Sequence, residues 1–410
     1  MNRTSKCTVM FALMFVFGVV AMAQTEIRTV EELVAVGASQ NSMEGSYILM
    51  NDIVVDNWIP IGGIDGNDGN GFAGIFDGNG HTVTINSFDL DNTCVGLFGL
   101  IGEKGTVKKL RVTGSISYTG GQKILYIGGI AGFNNGTIAC CVSSIDLTCN
   151  YVKAQTEKKV KHQFGYENGQ FGGGIAGINL GVIVHCYSTG SIRVLQGQAA
   201  GIAAGNGKPV RGGIGVSVGP GGGGVSVNPG AIPLYKSGVA YCYSLASVSS
   251  AVDNTGRKVS TFILGGASGI VATNRLETAV MNNCVSLNQL LEVKGDMKPK
   301  ATPFPIFGAA GLAHENSQFY YREDMVIRQY DAQDVALKPT KISPKCAVAF
   351  SSTQEESWWR MPDGLTTKEQ RQVLGFPFGE DEVSPWKWND QLKRPVLYWE
   401  NDLSEEAKKL

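Results

Sequence analysis

The chain has almost no net charge, few prolines, no Cys-x-x-Cys pair and no long apolar run after its first 23 residues. Each shortage excludes something. Thirty-five Lys and Arg against 36 Asp and Glu leave a net charge of −1, so electrostatics draws it toward neither nucleic acid nor an anionic membrane. Fourteen prolines beside 54 glycines exclude a proline-rich linker and suit many tight turns with positive φ. Without Cys-x-x-Cys the familiar zinc spacing is missing. After residue 23 no apolar stretch reaches the roughly 20 residues of a membrane-spanning helix, so the mature chain is not expected to span a membrane.

What is present is repetition. Gly128-Gly129-Ile130-Ala131-Gly132 leads to Gly136-Thr137-Ile138-Ala139-Cys140-Cys141-Val142-Ser143, and Gly173-Gly174-Ile175-Ala176-Gly177 leads to Gly181-Val182-Ile183-Val184-His185-Cys186-Tyr187-Ser188. A worn copy starts at Ala200-Gly201-Ile202-Ala203-Ala204 and ends at Val239-Ala240-Tyr241-Cys242-Tyr243-Ser244. A fourth runs from Gly265-Gly266-Ala267-Ser268-Gly269 to Asn283-Cys284-Val285-Ser286, and an earlier Val95-Gly96-Leu97-Phe98-Gly99 keeps the glycines without the Cys. Each unit holds short apolar runs between Gly and Asn turns, none long enough for a helix, which predicts strands. Units that cannot bury their own apolar face must stack. The prediction is an all-β chain, a right-handed parallel β-helix with N- and C-terminal caps. The aligned Cys141, Cys186, Cys242 and Cys284 then form a ladder of small buried thiols in preference to a metal or redox array. The chain has nine Cys, eight of them after the leader residue Cys7, and their pairing cannot be read from sequence.

The ends differ from the middle. Residues 1–23, with Arg3 and Lys6, an apolar run from Val9 to Met22 and a small-residue exit, read as a signal peptide cleaved before Gln24. Residues 24–92 read as an N-terminal cap with the first coils, residues 93–345 as the repeats, with a Gly-rich insertion at 205–231, and residues 346–410 as an aromatic C-terminal cap. Thr29-Val30-Glu31-Glu32-Leu33 has helical spacing.

The Tyr47–Asp52 run, the Phe76–His81 turn, Gly96-Leu97-Phe98-Gly99 and the repeated Gly-Gly-Ile-Ala-Gly…Gly-Thr-Ile…Cys pattern together resemble the GLUG-motif proteins. These are exported bacterial β-helical repeat proteins. Trp386-Lys387-Trp388 through Pro395-Val396-Leu397-Tyr398-Trp399 resembles the way such proteins end. The resemblance implies a periplasmic, cell-surface or extracellular, adhesin-like or glycan-associated protein, and it carries no catalytic residues to transfer. The motif also occurs in some secreted IgA-cleaving metalloproteases, but His314-Glu315-Asn316-Ser317-Gln318 lacks the second His that zinc needs four residues on.

Several strings were weighed as chemistry. Gly215-Val216-Ser217-Val218-Gly219 fits a nucleophile elbow only within a strand–turn–helix, and its near copy at Gly224–Gly230 points to a local duplication. Asp65–Gly71 falls short of a calcium loop, with Gly69 at a ligand position and no closing Glu. Lys153, Lys158, Lys159, Lys161 and His162 form a basic run for which a solvated loop is the expectation. Asp89 with Asp91, and Glu323 with Asp324, are carboxylate pairs that an enzyme could use. Five of the six Trp lie at or beyond residue 358. Flat indoles stack on sugars, so Trp358, Trp359, Trp386 and Trp388 are the candidate glycan contacts, with one of the adjacent Trp358 and Trp359 packed and the other facing out. No cofactor and no metal is expected. The expected function is non-enzymatic binding to a polysaccharide or host-surface glycan; the alternative is a polysaccharide lyase or glycoside hydrolase on the same scaffold.

Overall fold

Thr137–Ala139 is three residues between a Gly corner and a Cys corner, and most strands described here run to five residues or fewer. Such strands cannot stand alone and gain stability by pairing with the next repeat. In this computed structural model, residues 24–63, 71–88, 93–120, 124–151, 169–207, 215–217, 224–226, 237–253, 265–274, 279–295, 302–307, 319–338, 348–351, 355–360 and 375–401 are described. One coil passes through four sheets. Ile124–Gly128 lies in a six-stranded sheet, Ala131–Asn134 in a five-stranded one, Thr137–Ala139 in an eight-stranded one and Val142–Tyr151 in a twelve-stranded one. The following coil repeats the path through Gly169–Gly173, Ala176–Asn179, Val182–Val184 and Tyr187–Leu195, all parallel. The pairs Ile124↔Gly169, Ala131↔Ala176, Thr137↔Val182 and Val142↔Tyr187 each step by 45 residues, the interval from Cys141 to Cys186. The chain is therefore a parallel β-solenoid whose register is that of its repeats.

The interior is built as ladders. Cys141, Cys186, Cys242 and Cys284 stack, with Cys141 N–H donating to Cys186 Sγ and Cys186 N–H to Cys242 Sγ, each at 3.4 Å. Leu110 fills the same position one coil earlier, since Arg111 pairs with Val142. A second ladder, missed at sequence level, runs Asn134, Asn179, Asn206, Asn274. Each Nδ2 donates to the next Oδ1 at 2.7, 2.8 and 2.8 Å. Asn134 and Asn179 also bind the backbone of their own turns, so the buried amides are satisfied. Two glycines of the motif have separate jobs. A Cβ at Gly174 would lie 2.1 Å from Gly201 O and 2.7 Å from Ser188 Cβ, because an interior Ser sits under the corner. A Cβ at Gly177 would lie 2.6 Å from Ile127 N, because the five- and six-stranded sheets lie against each other there. Between those sheets Tyr126, Phe133, Phe171 and Ile178 make a small separate core.

The corner before each Cys is one left-handed residue: Lys109, Cys140, His185, Tyr241 and Asn283, with φ of 49, 53, 54, 51 and 45°. Cys140 sits at such a corner and packs in the outer aromatic cluster, whereas Cys141 lies in the interior ladder. At the N-terminus, helix α1 (Val30–Ala35) is capped by Thr29 and Glu32 reciprocally and buries Leu33. Within the glycine tract Gly215–Ser217 pairs antiparallel with Gly224–Ser226, Ser217 opposite Gly224. The duplication is thus a hairpin, which removes the strand–turn–helix setting that Ser217 would need as a nucleophile.

Candidate functional site

The first outward residues of successive strands in the twelve-stranded sheet form one column: Arg111, Val142, Tyr187, Tyr243, Val285, Tyr320. Its middle is an apolar stripe that a lone solenoid would leave in water. The C-terminal segment covers it. Trp358, Trp359, Phe376, Trp386 and Leu397 form one buried cluster with Val142, Tyr187, Tyr243, Val285 and Tyr320. Tyr187 and Tyr243 stack at 4.7 Å, and Trp359 and Trp386 both meet Tyr243 at 5.6 Å.

Polar anchors fix this strap. Glu400 accepts from Arg111, from Tyr187 Oη at 2.6 Å and, through its other oxygen, from Leu397 N–H at 2.6 Å. Tyr243 Oη donates to Pro395 O at 2.6 Å, and Trp399 Nε1 to Cys140 O at 3.1 Å. Trp386 Nε1 donates to His185 Nδ1 at 3.2 Å, and His185 stacks on Tyr241. Glu382 pairs with Lys108 at 2.7 Å, and Asp77 with Lys109 at 2.8 Å. Burial lowers the His185 imidazole to about 4, so it is neutral and able to accept. The strap accordingly runs along the coils, from Lys108 to Tyr320, and is more than a plug over the last one.

This placement corrects the aromatic expectation. Trp359 and Trp386 are fully buried and Trp358 is 7 % exposed, so none offers a flat face to a sugar. Trp358 and Trp359 do not divide their roles as in an extended strand. They lie in a helical turn, α2 (Glu356–Trp359), their rings 5.0 Å apart and perpendicular, with solenoid and strap covering both. Trp388, half-buried with its Nε1 on Asp390 Oδ1 at 3.2 Å, keeps part of its ring in solvent, as do Tyr398 and Trp399.

Beside the strap the same strands continue outward as a different surface. Two, four, six and eight residues past the stripe stand Thr113, Ser115, Ser117 and Thr119, then Ser144, Asp146, Thr148 and Asn150 on the next coil, then Thr189, Ser191 and Arg193. Ser247 and Ser249 extend two of these columns. Rows are about 4.8 Å apart and outward residues about 6.7 Å apart along a strand. Thr189 Oγ1 donates to Ser144 Oγ at 2.9 Å, and Asp146 Oδ1 accepts from Ser191 N–H and Oγ–H at 2.9 and 2.8 Å. Ser and Thr at alternate positions are visible in the sequence; the register that lines them up was not weighed there.

The remaining candidates separate. Asp324 is held by Arg322 at 2.6 Å, which lowers its carboxyl below the usual range, so with Glu323 it forms no acid–base pair. Asp89, Asp91, Asp65–Asn70, the basic run Lys153–His162, His314 and residues 1–23 lie outside the described residues. The ladder thiols are pushed up by burial, Cys284 to about 12, so they are inert small side chains. Among the described residues no group of three His, Cys, Asp or Glu could hold a metal, and no helix is long and apolar enough to cross a membrane.

No family model matches the chain. An 84-residue stretch is 39% identical to a "Putative Gly-rich membrane protein" of Evansella cellulosilytica, taking in 20% of this chain. The match spans only 9% of that relative's length. A crystal structure titled "putative immunoglobulin A1 protease" from Bacteroides ovatus superposes with a TM-score of 0.46 at 14% identity, over 92% of this chain and 93% of that one.

Proposed function

We propose that this chain is an exported, right-handed parallel β-helix of the GLUG-motif kind, acting at the cell surface or in the periplasm as a non-enzymatic binder of polysaccharide. The observation that supports binding is the outward face of the twelve-stranded sheet. It offers hydroxyl and amide groups in register on adjacent coils, from Thr113 to Ser249, with Arg193 exposed among them. Neutral sugars are recognised through such donors and acceptors, held on a rigid frame so that little order is lost on binding. The one carboxylate among these positions, Asp146, is occupied in bracing Ser191. A glycoside hydrolase needs two carboxyl groups facing one bond. The glycan role first assigned to the strap indoles moves to this face, with Trp388, Tyr398 and Trp399 as the aromatic surface left at the strap's edge.

A glycan array probed with the mature protein tests this. Retention of at least one polysaccharide class is expected. Thr148→Lys with Ser191→Lys, which fills the face with long charged side chains, should abolish retention while thermal unfolding stays where it was. An array with no retained glycan, or retention indifferent to the double change, would refute the proposal.

A further inference from the structure

Two of the strap's polar anchors, Glu400 and His185, share one property: each loses its contact when it takes up a proton. Glu400 accepts three hydrogen bonds as a carboxylate, from Arg111, Tyr187 and Leu397 N–H, with the Arg394 guanidinium 5.5 Å above the Tyr187 ring. His185 accepts from Trp386 only while Nδ1 carries no proton. Glu382 of the strap pairs with Lys108 of the solenoid at 2.7 Å. The solenoid beneath is different. Its ladders are amides, hydroxyls and thiols already neutral, so acid finds nothing in them to protonate.

We propose that the strap is an acid-released catch: on acidification residues 375–400 leave the coils while the solenoid stays folded, uncovering Tyr187 and the side of Tyr243 that Trp386 covers. The groups facing His185 are the Trp386 indole from the strap and the Tyr241 ring at the next corner, and no charged group contributes to its shift. An unfolded or detached imidazole takes its proton near 6.5 and the docked one only near 4. Between those values the detached state binds more protons, so docking is complete above about 6.5 and weakens as pH falls toward about 4.

The mature full-length protein reports this directly, because three of its six Trp, Trp386, Trp388 and Trp399, lie within residues 375–400. Trp emission is expected to shift to the red as pH falls from 6.5 to 4, with the far-ultraviolet β signal unchanged. His185→Asn keeps a neutral acceptor at every pH, at a corner that Asn283 occupies two coils further on, and should lower the midpoint by about one pH unit. Should that variant fail to fold, His185→Gly, at ease in the left-handed corner, should flatten the same dependence. Glu400→Gln should leave emission red-shifted already at pH 7. If emission and β signal collapse together, or if His185 variants share the parent's midpoint, the catch does not exist.

Discussion

At Gly174 a methyl group has nowhere to go. The neighbours are the Gly201 carbonyl and Ser188 Cβ, backbone and near-backbone atoms that cannot swing aside. Gly174→Ala should lower stability by about 2–3 kcal/mol, as overpacking does, read as a loss of denaturation midpoint at unchanged m-value. Asn179→Ala should cost about 2–3 kcal/mol, because it strands the Asn134 amide and the Gly181 and Gly238 carbonyls. Cys186→Ala should cost only about 1–2 kcal/mol, for a small cavity, with metal analysis of the parent showing no stoichiometric zinc or iron. Greater loss at Cys186 than at Asn179 would reverse the roles given to the two ladders. The sequence made the Gly and Cys columns plain because those residues recur in identical strings. The Asn column was equally present, as Gly-Phe-Asn, Gly-Ile-Asn and Ala-Gly-Asn, but a repeated Asn reads first as a turn residue. Only its burial and side-chain pairing mark it as a ladder.

Among the elements, α1 was legible because Thr29 and Glu32 stand three apart before an apolar run. Thr29→Ala should lower stability by about 1 kcal/mol, in the range of a lost N-cap, measured by chemical denaturation. Within the glycine tract Gly205 and Asn206 pair in the stack, and Gly215–Ser217 pairs with Gly224–Ser226. Deleting residues 208–231 should leave cooperative thermal unfolding nearly unchanged, since shortening a surface loop alters little closure entropy. A collapse of the folded signal would mean that the hairpin carries part of the stack. The strap was half legible. Its aromatics announced a cover for something apolar, but what they cover is a column of outward Tyr and Val scattered over some 200 residues of sequence. That column exists only once the 45-, 56- and 42-residue steps are set in register. Adjacent Trp358 and Trp359 suggested alternation, and a four-residue helix removed it.

On the scale of the whole molecule, a rigid stack turns one-dimensional repetition into two surfaces. One is apolar and sealed by a segment that arrives from the far end of the chain. The other is a lattice of hydroxyl, amide and guanidinium groups left open along the coils. Sequence alone fixes neither, because outward residues gain meaning from neighbours tens of residues away. In the proposed function the open lattice binds polysaccharide and the buried indoles do not. Hydrogen–deuterium exchange on the mature protein, with and without the polysaccharide that the array retains, tests it most directly. Protection is predicted in Thr113–Thr119, Ser144–Asn150 and Thr189–Arg193, with Trp386–Trp399 unchanged. Protection confined to the strap, with those three strands unaffected, would contradict it.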